Sequence, residues 1–269
     1  MRVRLVVSDI DGTLVRHDKS LSDPVIAAVR RLAATGVPFS LISARPASGM
    51  LWIAERLGLD APIGAFNGGT IVRPGGGIVS AERLAPEAAA RALALIDRPG
   101  VEPWLFADGL WYARTTDNPR VPREKLSANV PPTLVADFSA LLAHVDKLVG
   151  VSEDHALLEK LESEVEAVMR GQATVARSQP YFLDVTAPRG NKGDGVAALA
   201  DALGVPLAET LVIGDQRNDL AMFARAGFAI AMGEGPDEVK KAADAVTASN
   251  EEDGVAHAID TIILPMVGK

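Results

Sequence analysis

Residues 3–14 read VRLVVSDIDGTL, an apolar run closed by two aspartates, Asp9 and Asp11. A stretch that is apolar on both faces is what a strand buried in a parallel sheet requires. In an extended chain residues i and i+2 point the same way, so Asp9 and Asp11 face one site while Ile10 packs on the other side. Gly12 then lets the chain turn. Ligands of open parallel sheets bind beyond the carboxyl ends of the strands, and both acids fall there. An Asp-Gly pair on its own more often marks a surface turn, so the other strand ends decide between the two.

Outward from this stretch, VPFSLIS (37–43), ETLVIG (209–214) and FAIAM (228–232) repeat the doubly apolar pattern. Helical periodicity falls between them. SDPVIAAVRRLAA (22–34) opens with a cap residue and a proline in its first turn and stops at Gly36. Further helices are predicted over 46–57 and over DGVAALADAL (194–203), the latter ended by Gly204. Strands alternating with helices predict an α/β fold built on a doubly wound, mainly parallel, Rossmann-like sheet.

The middle of the chain differs. VEPWLFADGLWYARTT (101–116) predicts a hairpin turning at Asp108-Gly109, and PREKLSANVPPTLVADF (122–138) has little regular periodicity. HVDKLVGV (144–151) is an apolar strand carrying a lysine, followed by an amphipathic helix over 155–169 and strands at ATVAR (173–177) and YFLDVTA (181–187). Trp104, Trp111, Tyr112 and Phe182 are expected in the core of this lobe. Composition shifts near Arg83 and Pro188 divide the chain into a core at 1–82 and 188–269 and an inserted α+β domain at 83–187.

Three further strand ends carry matching chemistry. LISAR (41–45) offers the hydroxyl of Ser43 and the cation of Arg45, and PRGNKGDG (188–195) sets Lys192 at the start of a helix. GDQRND (214–219) supplies Asp215, Asn218 and Asp219 within five positions. Carboxylates crowded at adjacent strand ends repel one another unless a hard cation sits among them, and Mg²⁺ prefers such oxygens. The set points to a Mg²⁺ site that holds a phosphate.

Composition removes several other classes. The 27 Lys and Arg against 35 Asp and Glu give a net charge of −8, which repels phosphate backbones and anionic lipid, so neither nucleic acid nor membrane is an expected partner. The chain has no cysteine, which excludes disulfides, thiolate zinc sites and a cysteine nucleophile. His17, His144, His155 and His257 lack ligand spacing. GGG at 75–77 reads as a hairpin tip, since no lysine follows it at the spacing of a phosphate loop. The first residues reach Asp9 too soon for a signal-peptide core, and a cytoplasmic location is expected.

DIDGTL, a hydroxyl residue after an apolar strand, NKG and GDQRNDLAMF, in that order, resemble the four motifs of the haloacid dehalogenase superfamily of phosphohydrolases. The large insert between the second and third motifs, FNGG at 66–69 and the tail AMGEGPDEVKKAADAVTASNEEDGVAHAI (231–259) resemble its Cof-type, subclass IIB, sugar-phosphatase-like branch. LISAR departs from the Thr-Gly-Arg more usual in that branch; Ser43 keeps the hydroxyl, and Ala44 replaces the glycine.

The resemblance implies a Mg²⁺-dependent phosphatase acting on a small phosphorylated metabolite, with an inserted cap of the C2 type. Asp9 would be the nucleophile that forms an aspartyl phosphate, and Asp11 the acid that protonates the leaving alkoxide and then activates water. Asp9, the backbone carbonyl of Asp11 and Asp215 would hold the metal, with Asp219 supporting it through water or orienting Lys192. Ser43, Ala44, Lys192 and Asn218 would contact the phosphate, and Lys192 would also fix Asp9. Arg45 would either touch the phosphate or pair with an acid on the following helix. Asn67 and Gly68 would face the substrate, or form a plain hairpin turn. Lys147 and Arg189 are placed to reach across the cleft. The same motifs fit a phosphosugar mutase that re-uses a bisphosphate, and the fold alone would fit a sugar-phosphate sensor without turnover.

Overall fold

In a computed structural model of the protein, residues 2–268 are described, and the elements and counts given below are those of the described residues. The chain begins with β1 (Leu5–Ser8), α1 (Asp23–Ala33), β2 (Phe39–Leu41) and α2 (Ser48–Leu57). A small antiparallel sheet follows, made of β3 (Ile63–Ala65), β4 (Thr70–Val72) and β5 (Ile78–Ala81). Next come α3 (Pro86–Ile96), β6 (Glu102–Ala107), β7 (Leu110–Ala113), α4 (Val121–Ala128), β8 (Thr133–Leu134), β9 (Val145–Val151), α5 (His155–Met169), β10 (Thr174–Gln179) and β11 (Phe182–Thr186). The chain returns through α6 (Lys192–Ala202), β12 (Thr210–Gly214), α7 (Leu220–Phe223), β13 (Phe228–Ala231), α8 (Asp237–Ala242), β14 (Ala245–Val246) and α9 (Gly254–Ala258).

The core sheet has the order β14-β13-β12-β1-β2 with every pairing parallel. Alternation along β1 explains why both faces are apolar. Val6 joins Val25, Val29 and Leu32 of α1 on one side, while Leu5 and Val7 join Val196 and Leu199 of α6 on the other. This is the doubly wound α/β sheet expected from the sequence. The chain leaves β1 toward β2 in one direction and places β12 on its other side, so strand order reverses at β1 and a crevice opens beyond the ends of β1 and β12.

Sheet β10-β11-β9-β6-β7-β8 forms the separate mixed domain, antiparallel except for β7 with β8. One of its faces packs under α3 and α5, with Leu105, Leu148, Leu183 and Val185 against Ala88, Ala92, Leu158 and Leu161. The other face carries Trp104, Phe106, Trp111, Val149 and Phe182 and is continuous with the core domain's apolar cluster through residues such as Phe66. Trp104 and Trp111 meet edge to face at 4.9 Å, as expected of lobe core, whereas Tyr112 lies half-buried on the helix-covered side.

Helix starts follow local chemistry. Ser22 caps α1 by accepting from Val25 N–H, and Asn191 caps α6 by accepting from Asp194 N–H at 3.0 Å. That cap moves the start of α6 from the predicted Asp194 back to Lys192. Helix α2 begins at Ser48 rather than Pro46. Several elements were not placed by the sequence pattern, among them α3, β8, α8 and α9, and α4 lies in the segment read as aperiodic.

Candidate active site

Parallel pairing of β1 with β12 sets Leu5 beside Thr210 and Ser8 beside Ile213, so Asp9 and Asp215 emerge side by side at the crevice. Lys192, on the first turn of α6, reaches between the acids. Its Nζ donates to Asp9 Oδ1 at 2.5 Å and to Asp219 Oδ1 at 2.5 Å. Asp219 Oδ2 accepts from the backbone N–H groups of Asp215 and Gln216, each at 2.8 Å. Thr13 Oγ1 donates to Asp215 Oδ1 at 2.9 Å. One carboxylate oxygen from each of Asp9, Asp215 and Asp219 lies within 4.8 Å of the others, and all three residues are buried.

The energetics of this knot are those of buried like charges. Burial pushes the Asp9 carboxyl up to about 6 while Lys192 pulls it down and Asp219 and Asp11 push it up again. Burial, then Asp9 and Asp219, raise Asp215 well above the usual carboxylate range. Desolvation opposes the charge on Lys192, but Asp219 and Asp9 outweigh it and raise the ammonium's pKa. Lys192 pairs with two of the three carboxylates, Asp9 and Asp219, which leaves negative charge uncompensated. A hard divalent cation fits that deficit and the all-oxygen donor set. Gly12 supports the same fit: with φ +90, a Cβ there would sit 2.4 Å from Asp215 Oδ2, in the space the carboxylates face.

Asp11 shares the site but not the knot. Arg45 Nε and Nη2 donate to its two oxygens, both at 2.7 Å, and Lys19 pairs with it from the turn that follows β1. Burial would raise this carboxyl, yet Arg45 and then Lys19 hold it well below its ordinary value. Arg45 was open between the phosphate and an acid on the next helix. Its partner acid is Asp11, and on the α2 side it donates to the Gly49 carbonyl at 3.0 Å.

Asp9, Asp11, Ser43, Ala44, Arg45, Lys192, Asp215 and Asn218 line one cavity of about 50 Å³. The amide oxygen of Asn218 is buried there without a hydrogen-bond partner. Asp219 lies just behind, both of its oxygens occupied. Asn67 and Gly68, open between facing the substrate and forming a hairpin turn, make the turn between β3 and β4 and lie outside the cavity lining. Asn67 N–H donates to the Ser43 carbonyl at 2.7 Å, and Gly68 packs against the Gly195 backbone of α6, so FNGG braces the end of β2 against α6. Arg189 also stays outside, pairing with Glu82 at 3.4 Å.

The cavity roof comes from the mixed domain and was largely missed in the sequence. Arg123, Glu124 and Ser127 descend from α4, Lys147 from β9, and Tyr181 and Phe182 from the turn into β11. Lys147 Nζ donates to the Ala44 carbonyl at 2.9 Å and lies 3.7 Å from Asp184. The usable signals were a lysine inside an apolar strand and, on α4, an acid in register with Val121 and Ala128. Lys19 left no signal, since only the fold brings it to Asp11.

Fold and site together define a class. Residues 6–259 match the family model of the haloacid dehalogenase-like hydrolases, and the chain belongs to that family. Among particular relatives, the HMP-PP phosphatase of Cronobacter sakazakii is 28% identical over 230 residues, 86% of this chain and 84% of that one. A haloacid dehalogenase-like hydrolase from Bacteroides thetaiotaomicron is 29% identical, with a TM-score of 0.85 over 97% of this chain and 100% of that one. A subclass IIB sugar phosphatase of the superfamily, 24% identical, shares the fold with a TM-score of 0.84 over 98% of this chain and 100% of that one.

Proposed function

We propose that the protein is a Mg²⁺-dependent phosphomonoesterase that hydrolyses a small phosphorylated metabolite, a sugar phosphate or similar ester, through an aspartyl phosphate on Asp9. The observation that carries this reading is the buried trio Asp9, Asp215 and Asp219 around Lys192, set at the switch point of a parallel sheet. Asp9, the Asp11 carbonyl and Asp215 would hold the ion, with Asp219 behind them. When bound, Mg²⁺ offsets the repulsion between these carboxylates and a phosphate dianion.

Asp9 attacks phosphorus in line, and the bond from phosphorus to the ester oxygen breaks as the new one forms. Lys192 orients Asp9 and meets the charge on the phosphoryl oxygens, and Ser43 and Asn218 offer further polar contacts with the backbone of Ala44 beside them. Asp11 delivers a proton to the leaving alkoxide. Arg45 and Lys19 hold it ionised. A phosphate dianion arriving beside it competes for Arg45 and pushes its pKa back up, which readies it as the acid. It then takes a proton from the water that attacks phosphorus and frees Asp9.

Residues 83–187 act as a cap inserted between core segments 1–82 and 188–269, whose outermost residues, Met1 and Lys269, lie outside the described residues. The cavity lies between core and cap, and on this reading the cap opens to admit an ester and closes to exclude solvent. No helix among the described residues is long and apolar enough to cross a membrane, and the reading is of a cytoplasmic enzyme. A panel of sugar, nucleotide and vitamin phosphates assayed with Mg²⁺ tests the proposal. Free phosphate from one or more of them supports it, and phosphorus NMR separates hydrolysis from transfer within a sugar bisphosphate. Absence of phosphate release from the whole panel, with an aryl phosphate included, overturns it.

A further inference from the structure

The roof contains a charged group that the chemistry above does not use. Glu124 is 7% exposed, lines the cavity, and sits on the buried stripe of α4 with Val121, Ser127 and Ala128. The forces on its carboxyl are burial, which pushes it up to about 7, and the charges of Lys147, Asp184, Asp11 and Arg45; no hydrogen bond is among them. A buried carboxylate without a donor is costly, and an apolar residue would pack there at less cost. The core acids of the same cavity differ: Asp9 has Lys192, Asp11 has Arg45 and Asp215 has Thr13.

Helix α4 is also held in place over the site. Ser48 Oγ donates to the Ala128 carbonyl at 2.7 Å, and the backbones meet so closely that a Cβ on Gly49 would lie 2.0 Å from Ser127 O. Its neighbour Lys147 is committed to Ala44 and Asp184. The phosphate side of the cavity belongs to the core, so the group under Glu124 is the alcohol that leaves.

We propose that Glu124 is a specificity residue that accepts a hydrogen bond from a hydroxyl on the substrate's leaving group. This rests on the hydrolase reading and narrows it. Ionised, the carboxyl accepts from a hydroxyl, and protonated it both donates to one and accepts from it, so a hydroxyl satisfies either form while a bare hydrocarbon leaves it unpaired. Sites built to hydrogen-bond a substrate hydroxyl reject analogues lacking it far more strongly than apolar pockets reject a missing methylene.

The test compares kcat/KM for glucose 6-phosphate, ribose 5-phosphate and glycerol 3-phosphate with that for p-nitrophenyl phosphate and cyclohexylmethyl phosphate, which offer no hydroxyl. For Glu124→Ala the ratio of the best hydroxylated ester to p-nitrophenyl phosphate is expected to fall by roughly tenfold to a hundredfold, and for Glu124→Gln, whose amide oxygen still accepts, by less. A ratio unchanged in both variants overturns the assignment. Should neither variant fold, the wild-type enzyme decides alone: it is expected to prefer the best hydroxylated ester over cyclohexylmethyl phosphate by about tenfold or more, and parity overturns it. Turnover of p-nitrophenyl phosphate with none of the hydroxylated esters also overturns it while leaving the hydrolase reading intact. Failure of every ester removes the hydrolase reading first, and this inference with it.

Discussion

The two walls of the cleft treat buried charge differently. On the core wall Asp9, Asp219 and Asp11 each accept from a lysine or arginine, and Asp219 also takes two backbone N–H groups. On the roof Glu124 is a buried residue that lines the cavity, and both oxygens of Asp184 are buried without a hydrogen-bond partner. On the proposed reading the core wall would meet what every phosphomonoester shares, the phosphate and the cation that accompanies it. The roof is left incomplete where substrates differ.

If the core wall carries the chemistry, its substitutions have the largest effects. Asp9→Asn is expected to lower phosphate release by about 10⁴-fold or more, since the loss of a nucleophile is of that order; a steady-state assay with p-nitrophenyl phosphate reads it. Lys192→Met strands Asp9 and Asp219 without their shared cation and is expected to cost roughly 3–5 kcal/mol in urea denaturation. Mg²⁺ at a hundredfold excess over its dissociation constant is expected to stabilise the wild type by about 2.7 kcal/mol, raising its melting temperature, with the gain lost in Asp215→Asn. Calcium- and magnesium-free buffer with a chelator sets the reference for that comparison.

The substitution on the roof has an effect of the opposite sign. Because the folded-state pKa of Glu124 is raised from 4.5 to about 7, its stabilising share is complete below pH 4.5 and is lost as pH rises through 7. Glutamine does not titrate. Glu124→Gln is therefore expected to match the wild type near pH 4.5 and to exceed it at pH 8, by at most about 3 kcal/mol. Thermal melts at the two pH values check this. A gap that shrinks with rising pH would erase the contrast between the walls.

The same contrast governs what the sequence could disclose. Asp9, Ser43, Lys192 and Asp215 were legible because each follows a doubly apolar strand or opens a capped helix, so local pattern and function coincide. Helix α4 was not legible. It has eight residues, prolines follow it closely at 131 and 132, and its buried stripe contains Glu124 and Ser127 where a periodic reading looks for apolar residues. The partner of Arg45 was equally hidden, since Asp11 lies 34 positions away and is brought near only by the pairing of β1 with β2. Asn67, open in the sequence between a substrate contact and a hairpin turn, lies in the turn that joins β3 to β4, buried beside Ser43.

The central claim is that Asp9 carries the phosphoryl group between two half-reactions. Asp11→Asn tests it most directly with p-nitrophenyl phosphate, whose nitrophenolate leaves without an acid, while removal of the Asp11 carboxylate slows attack by water. Rapid acid quench and mass spectrometry of the peptide containing Asp9 are predicted to show one added phosphoryl group, with a burst of nitrophenolate preceding slow release of phosphate. A peptide that stays unmodified during turnover, or a phosphoryl group on any other residue, would contradict the account.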